Sequence, residues 1–153
     1  MAIENLGLEI RILANMIYNR ANQITMKAEN LSIHQCWILQ YLLETAEKTV
    51  YQKDIEQLFS IKRSTANQML RALEMRNYIQ RTVSAEDARK NVLTVTEAGA
   101  GAYRRLSKDL YQLMLKLHGD IPGDELAQFQ STLRKLWHNM EQEEKKTEIP
   151  LIS

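Results

Sequence analysis

Only one cysteine, Cys36, occurs in the 153 residues, together with two prolines and five glycines. A lone thiol cannot close an intramolecular disulfide, so no covalent staple holds the fold. The scarcity of proline and glycine argues against a turn-rich β-sandwich or a low-complexity tail and favours long helices. No window approaches the roughly 20 uncharged apolar residues that span a bilayer. The start, MAIENLGLEI, lacks the basic residues and long apolar run of a secretory signal, so a cytoplasmic location is expected. His34, His118 and His138 lie far apart without metal-ligand spacing, and there is neither a Gly-rich phosphate loop nor a nucleophile motif. No seat for catalysis is legible, and no cofactor or metal is expected.

What is present fits one compact domain of mainly helical structure. A chain of this length buries roughly 70% of its unfolded surface, enough for a core without staples. The 44% hydrophobic and 25% charged fractions are ordinary for a globular protein, and the net charge is only +1. That charge is unevenly spread. From Lys62 to Lys90 seven basic residues face three acidic ones, whereas from Glu141 to Glu148 four acidic residues face two basic ones.

Apolar residues at Leu6, Ile10, Leu13 and Ile17 form one stripe on a helix from about Ile3 to Ala28. Ser32 is the expected N-cap of a second helix, with Trp37, Ile38, Tyr41 and Leu42 facing inward. Two further helical patterns, YQKDIEQLF and IKRSTANQMLRALEMRN, are separated by little more than Ser60 and Ile61. Asn77 ends the second, because Asn tolerates the left-handed conformation beyond a helix. The period then changes to two in YIQRTV and NVLTV. Ile79, Val83, Leu93 and Val95 are expected on the buried face of a hairpin. Thr96 is the expected cap of a fifth helix bearing Tyr103, Leu106, Leu110, Leu113 and Leu117. Asp124 is expected to cap a sixth, with Phe129, Leu133, Leu136 and Met140.

Two short helices joined by a tight turn and followed at once by a hairpin describe a winged helix-turn-helix, whose second helix enters the DNA major groove. In that helix Ile61, Ala66, Met69, Leu70 and Leu73 are the expected buried face. Lys62, Arg63, Ser64, Thr65, Asn67, Gln68 and Arg71 remain as candidate DNA-binding residues. Asn and Gln bond adenine edges, Arg bonds guanine, and hydroxyls bond phosphates or bases. Glu74 is the only acid between Lys62 and Arg81. At the hairpin tip Arg89 and Lys90 add cations suited to a narrow minor groove. Phosphate repels Asp87, so its expected role is to orient the wing by a charge-assisted pair with Arg89 or with an Arg of the recognition helix.

These residues resemble the MarR family of winged helix-turn-helix regulators. DARKNVLTVTEAG places Asp87, Arg89, Thr96 and Gly99 at that family's wing spacing, with Val95 where Leu is usual. LSIHQCWILQYL and LFSIKRSTANQMLRALEMRNYIQR are similar to its second helix and its helix-turn-helix. The resemblance runs from about Leu6 to Met140. Lys62 stands where a small capping residue is common, Gln68 where a basic one is frequent, and Asn77 where Gly is usual.

The resemblance implies a winged helix-turn-helix lobe over 31–96 and dimerisation helices over 1–30 and 97–145. The three long apolar stripes exceed what the lobe alone can cover, which also points to a homodimer. A two-fold dimer implies a pseudo-palindromic operator. The family further implies a repressor released by a small phenolic or anionic effector, with Arg20, His34, Trp37 and Tyr111 as candidate effector-binding residues. Two alternatives remain at this level: a redox-sensing repressor acting through Cys36, and a winged-helix module that binds protein.

Overall fold

The computed structural model describes residues 3–147. Glu148, counted above with the acidic end, lies outside them. The elements in order are α1 (Ile3–Glu29), α2 (Ile33–Glu44), β1 (Val50–Tyr51), α3 (Gln52–Phe59), α4 (Arg63–Met75), β2 (Ile79–Val83), β3 (Asn91–Val95), α5 (Glu97–His118) and α6 (Gly123–Thr147). The residues up to Leu113 form one compact unit and those from Met114 onward a second, with α5 running through the boundary.

Local chemistry explains most boundaries of the first unit. α1 stops at Asn30, which adopts the left-handed conformation (φ 52°). Two residues later Ser32 caps α2 by accepting from the Gln35 amide, while the Gln35 side chain accepts from the Ser32 amide at 2.9 Å. Asn22 of α1 ties the two helices by accepting from the Ile33 amide at 3.0 Å. Asn77, also left-handed (φ 58°), turns the chain from α4 into β2. Thr96 caps α5 by accepting from the Gly99 amide at 3.0 Å. The core is built from Leu31, Ile33, Ile38, Leu39, Ile55, Leu70, Leu73, Ile79, Leu93 and Leu106.

Three details depart from expectation. The sheet has three strands in the order β1-β3-β2, all antiparallel. Its short β1 pairs Val50 with Leu93 and Tyr51 with Val92. Val83, expected on the buried face, is 63% exposed. It pairs with Asn91 at the outer end of the hairpin, beyond the reach of the core. Asp124 lies inside the first turn of α6 rather than capping it. The helix begins at Gly123, and the Leu126 amide bonds to the Pro122 carbonyl. There Asp124 still interacts favourably with the positive end of the helix dipole.

An electrostatic joint closes the first unit. Glu29, near the end of α1, accepts from Arg105 of α5, with the Arg105 Nη2 contact at 3.2 Å. Arg76 donates to the Glu29 and Asn30 carbonyls at 2.7 and 3.1 Å. The hydrogen bond from Arg105 leads the causes that hold the Glu29 carboxyl below its ordinary range, against an opposing effect of burial. A carboxylate with a lowered folded pKa adds stability above its unfolded pKa and loses it as pH falls through the folded value. Glu29→Gln is therefore expected to cost about 1 kcal/mol at neutral pH. The difference from wild type should shrink towards zero in denaturant melts taken at progressively acidic pH; a difference independent of pH would remove the charge from this account.

Candidate nucleic-acid interface

α4 carries its apolar residues on one side because its buried positions Ala66, Leu70 and Leu73 follow helical spacing, with Met69 half-buried beside them. The opposite side is open: Lys62, Arg63, Ser64, Thr65, Asn67, Gln68 and Arg71 are all exposed. α3 ends at Ser60 in the left-handed conformation (φ 49°), which sets the tight turn into α4. Lys62 occupies the N-cap position with extended backbone and no side-chain cap. The first-turn amides of α4 thus lack a side-chain partner, as suits an anion such as a phosphate.

The one acid of this helix does not spoil its surface. Glu74 is half-buried and paired with Arg81 of β2 at 2.9 Å, so its charge is compensated locally. Sequence reasoning assigned Arg81 no role, yet it also donates to Asn67 Oδ1 at 2.9 Å. The signal was present in the alternation. Arg81 falls between Ile79 and Val83 on the inward side of β2, and a charge there demands a partner.

The wing tip is a built turn. The Ser84 amide donates to the Lys90 carbonyl at 2.9 Å, and Ser84 Oγ accepts from the Glu86 amide at 3.2 Å. Asp87 Oδ1 accepts from both the backbone amide and Nε of Arg89, at 3.0 and 3.1 Å, and Oδ2 accepts from Nη2 at 3.3 Å. These bonds from Arg89 lower the Asp87 pKa. Of the two partners considered for Asp87, the structure places it with Arg89. Lys90 lies over the Tyr51 ring, 5.3 Å from its centroid, linking the tip to β1. Arg63, Arg89 and Lys90 line one cleft with Tyr51, Gln52 and Asn91.

The other expected site residues divide. His34 and Trp37 meet, with ring centroids 5.6 Å apart, in a cluster completed by Tyr18 and Phe59. Burial lowers the His34 pKa, favouring the neutral ring. Arg20 and Tyr111 are exposed and take no part in that cluster. Cys36 is fully buried in α2, and burial pushes its thiol up to about 11. A reactive thiolate needs the opposite environment, so the redox alternative loses its physical basis. Among the described residues no group of three or more His, Cys, Asp or Glu side chains is placed to hold a metal ion. No helix among them is long and apolar enough to cross a membrane.

A helix-turn-helix whose second helix is polar outward, followed by a hairpin with a cationic tip, defines a winged helix-turn-helix protein. The model of the transcriptional regulator SarA/Rot family matches residues 20–106, more than half of the chain. The chain belongs to the SarA/Rot family of transcriptional regulators, and its fold is that of the MarR-type winged-helix proteins. It is 24% identical to the HTH-type transcriptional regulator YwaE of Bacillus subtilis (strain 168), over 92% of this chain and 85% of that one. Among solved structures, the transcription regulator MarR of Oenococcus oeni PSU-1 is similar at 26% identity and a TM-score of 0.70, covering 87% of this chain and 98% of that one. MepR of S. aureus, in complex with DNA, shares the fold with a TM-score of 0.77 at 20% identity, covering 88% and 97%.

Proposed function

We propose that this regulator is a homodimeric, sequence-specific binder of double-stranded DNA that acts in the cytoplasm as a repressor. α4 enters the major groove and the wing tip reaches the flanking minor groove. The observation that carries the reading is the exposed side of α4, where Lys62, Arg63, Ser64, Thr65, Asn67, Gln68 and Arg71 stand without an uncompensated acid. Phosphates are met by Lys62, Arg63 and Lys90, and bases by Asn67, Gln68 and Arg71. The protein-binding alternative needs an apolar α4 surface, which these side chains do not provide. The reading assigns the chain no enzymatic activity.

Dimerisation is supported by apolar side chains left uncovered within each unit. Leu6, Ile10 and Leu13 on α1 are about 40% exposed, and Phe129, Leu133, Trp137 and Met140 on α6 are exposed as well. No residue of α6 is buried, although its apolar residues recur at helical spacing. Such a stripe demands a covering surface. The reading gives 31–96 to the DNA-binding lobe and 1–30 with 97–145 to the dimer. Two lobes related by a two-fold axis then read a pseudo-palindromic operator with half-sites about one DNA turn apart. The reading extends to release by a small phenolic or anionic effector; of its candidate residues His34 and Trp37 lie together with Tyr18 and Phe59, while Arg20 and Tyr111 are exposed outside that cluster.

Sedimentation velocity at micromolar concentration is expected to return twice the mass of the chain; a stable monomer would remove the paired scaffold. On DNA, Asn67→Ala is expected to cost about 1–3 kcal/mol per half-site on the selected operator and little on random sequence. Equal losses on both would demote Asn67 to a phosphate contact, and no affinity for any duplex at low salt would end the reading.

A further inference from the structure

Arg81 is held on every side. Its Nε and Nη2 both reach Oε2 of Glu74, at 3.0 and 2.9 Å, and its Nη1 lies 3.5 Å from Oε1 of Gln52 in α3. Gln52 in turn donates to Glu56 at 3.1 Å. With its side chain 15% exposed, Arg81 is poorly placed to meet a DNA phosphate, and Glu74 compensates its charge. What it offers outward is one N–H, received by Asn67 Oδ1 at 2.9 Å. A guanidinium carries only donors, so chemistry decides the amide orientation: oxygen towards Arg81, NH2 group away from it. Asn67 lines an open groove with Arg63, Ser64 and Asn91.

We propose that Arg81 is a positioning residue that fixes the amide orientation with which Asn67 reads DNA. This rests on α4 being the recognition helix. An amide that contacts adenine bidentately must turn both its oxygen and its nitrogen to one base edge. The amide oxygen carries two lone pairs, so accepting from Arg81 fixes the orientation of the amide while leaving a lone pair and the NH2 group for that edge. Asn67, held in one amide orientation, then selects adenine, whose N6 donor and N7 acceptor match the free edge of the amide. β2, outside the helix-turn-helix, thereby sets base preference through a side chain that never touches DNA.

The test is selection from a random duplex library, followed by competition binding, with full-length wild type, R81M, N67A and the double variant. In R81M the preference for adenine at one base pair per half-site is expected to fall by about tenfold, the scale of one bidentate contact. N67A should lose preference at that same base pair, and the double variant should match N67A. R81K, which keeps the cation but lacks the fork that serves Glu74 and Asn67 together, should shift the same base pair less. Uniformly weaker binding with unchanged preference, or additive effects in the double variant, would overturn the proposal and leave Arg81 a brace of the wing. The Asn67 side-chain amide resonances of the DNA-free protein give a readout independent of the operator. They are expected to move in R81M, and their failure to move would also overturn the proposal. A wild-type chain without sequence preference would defeat the recognition-helix reading and the proposal together, the resonances then showing whether the Arg81–Asn67 bond itself exists.

Discussion

Arg89→Ala is expected to weaken operator binding by about 1–3 kcal/mol per half-site. In the proposed dimer two such cations are lost, so the slope of log K against log salt should become shallower by about 1.8. The side chain is 90% exposed, yet two hydrogen bonds from its guanidinium, and a third from the Arg89 backbone amide, hold it to Asp87. Its entropy is thus partly lost before DNA arrives, which favours binding of a tethered cation over a free one. Asp87→Ala separates tethering from bulk charge. Removing a carboxylate raises the positive charge of the wing, so a purely charge-driven tip would bind more tightly. Tethering requires the opposite, weaker binding on the operator. Anisotropy titrations at several salt concentrations check both variants, and tighter binding by Asp87→Ala would refute the tether.

Gly99→Ala is expected to destabilise the fold by about 3 kcal/mol or more, on the scale of severe overpacking. For a chain of this size that lowers the melting temperature by about 6–12 °C. A Cβ at Gly99 would stand 2.1 Å from the Tyr78 carbonyl oxygen and 3.0 Å from Val95 Cγ2. The obstacle is backbone, pinned from several directions. The Tyr78 oxygen accepts from the Thr96 amide at 3.0 Å, the Tyr78 amide donates to Leu73, and Thr96 Oγ1 donates to the Asn77 carbonyl at 2.6 Å. Neither side can withdraw without opening the junction where α5 meets the α4–β2 turn. Thermal melts monitored by circular dichroism decide the matter; a loss below about 1 kcal/mol would mean that the approach is looser than this geometry.

The junctions were legible because their chemistry is local. Ser32, Asn77 and Thr96 each act on amides or dihedrals within three residues, so a cap or turn can be read from its own neighbourhood. The buried side of α4 followed from spacing alone. β1 was not legible, since two residues show no alternation and gain their strand character only from pairing with Leu93 and Val92. The burial expected for Val83 failed for a related reason. Period two assigns a face, but whether that face meets the core depends on how far the wing extends past it.

In the candidate interface the residue types could be named in advance, but not how they are joined. Arg81 counted towards the basic balance of its segment, whereas its guanidinium is consumed by Glu74, Gln52 and Asn67. Cys36 stood open as a sensor until its burial was known. Glu29 and Arg105, 76 positions apart, gave no hint of each other.

The order of residues by itself determined the helices, the caps at Ser32 and Thr96, the wing turn and the polar side of α4, because hydrogen bonds and hydrophobic spacing over a few residues dictate them. Tertiary structure alone decided which charges remain free to meet DNA and which neutralise one another. Ion pairing depends on distance in space, and folding brings together side chains that the chain order keeps far apart.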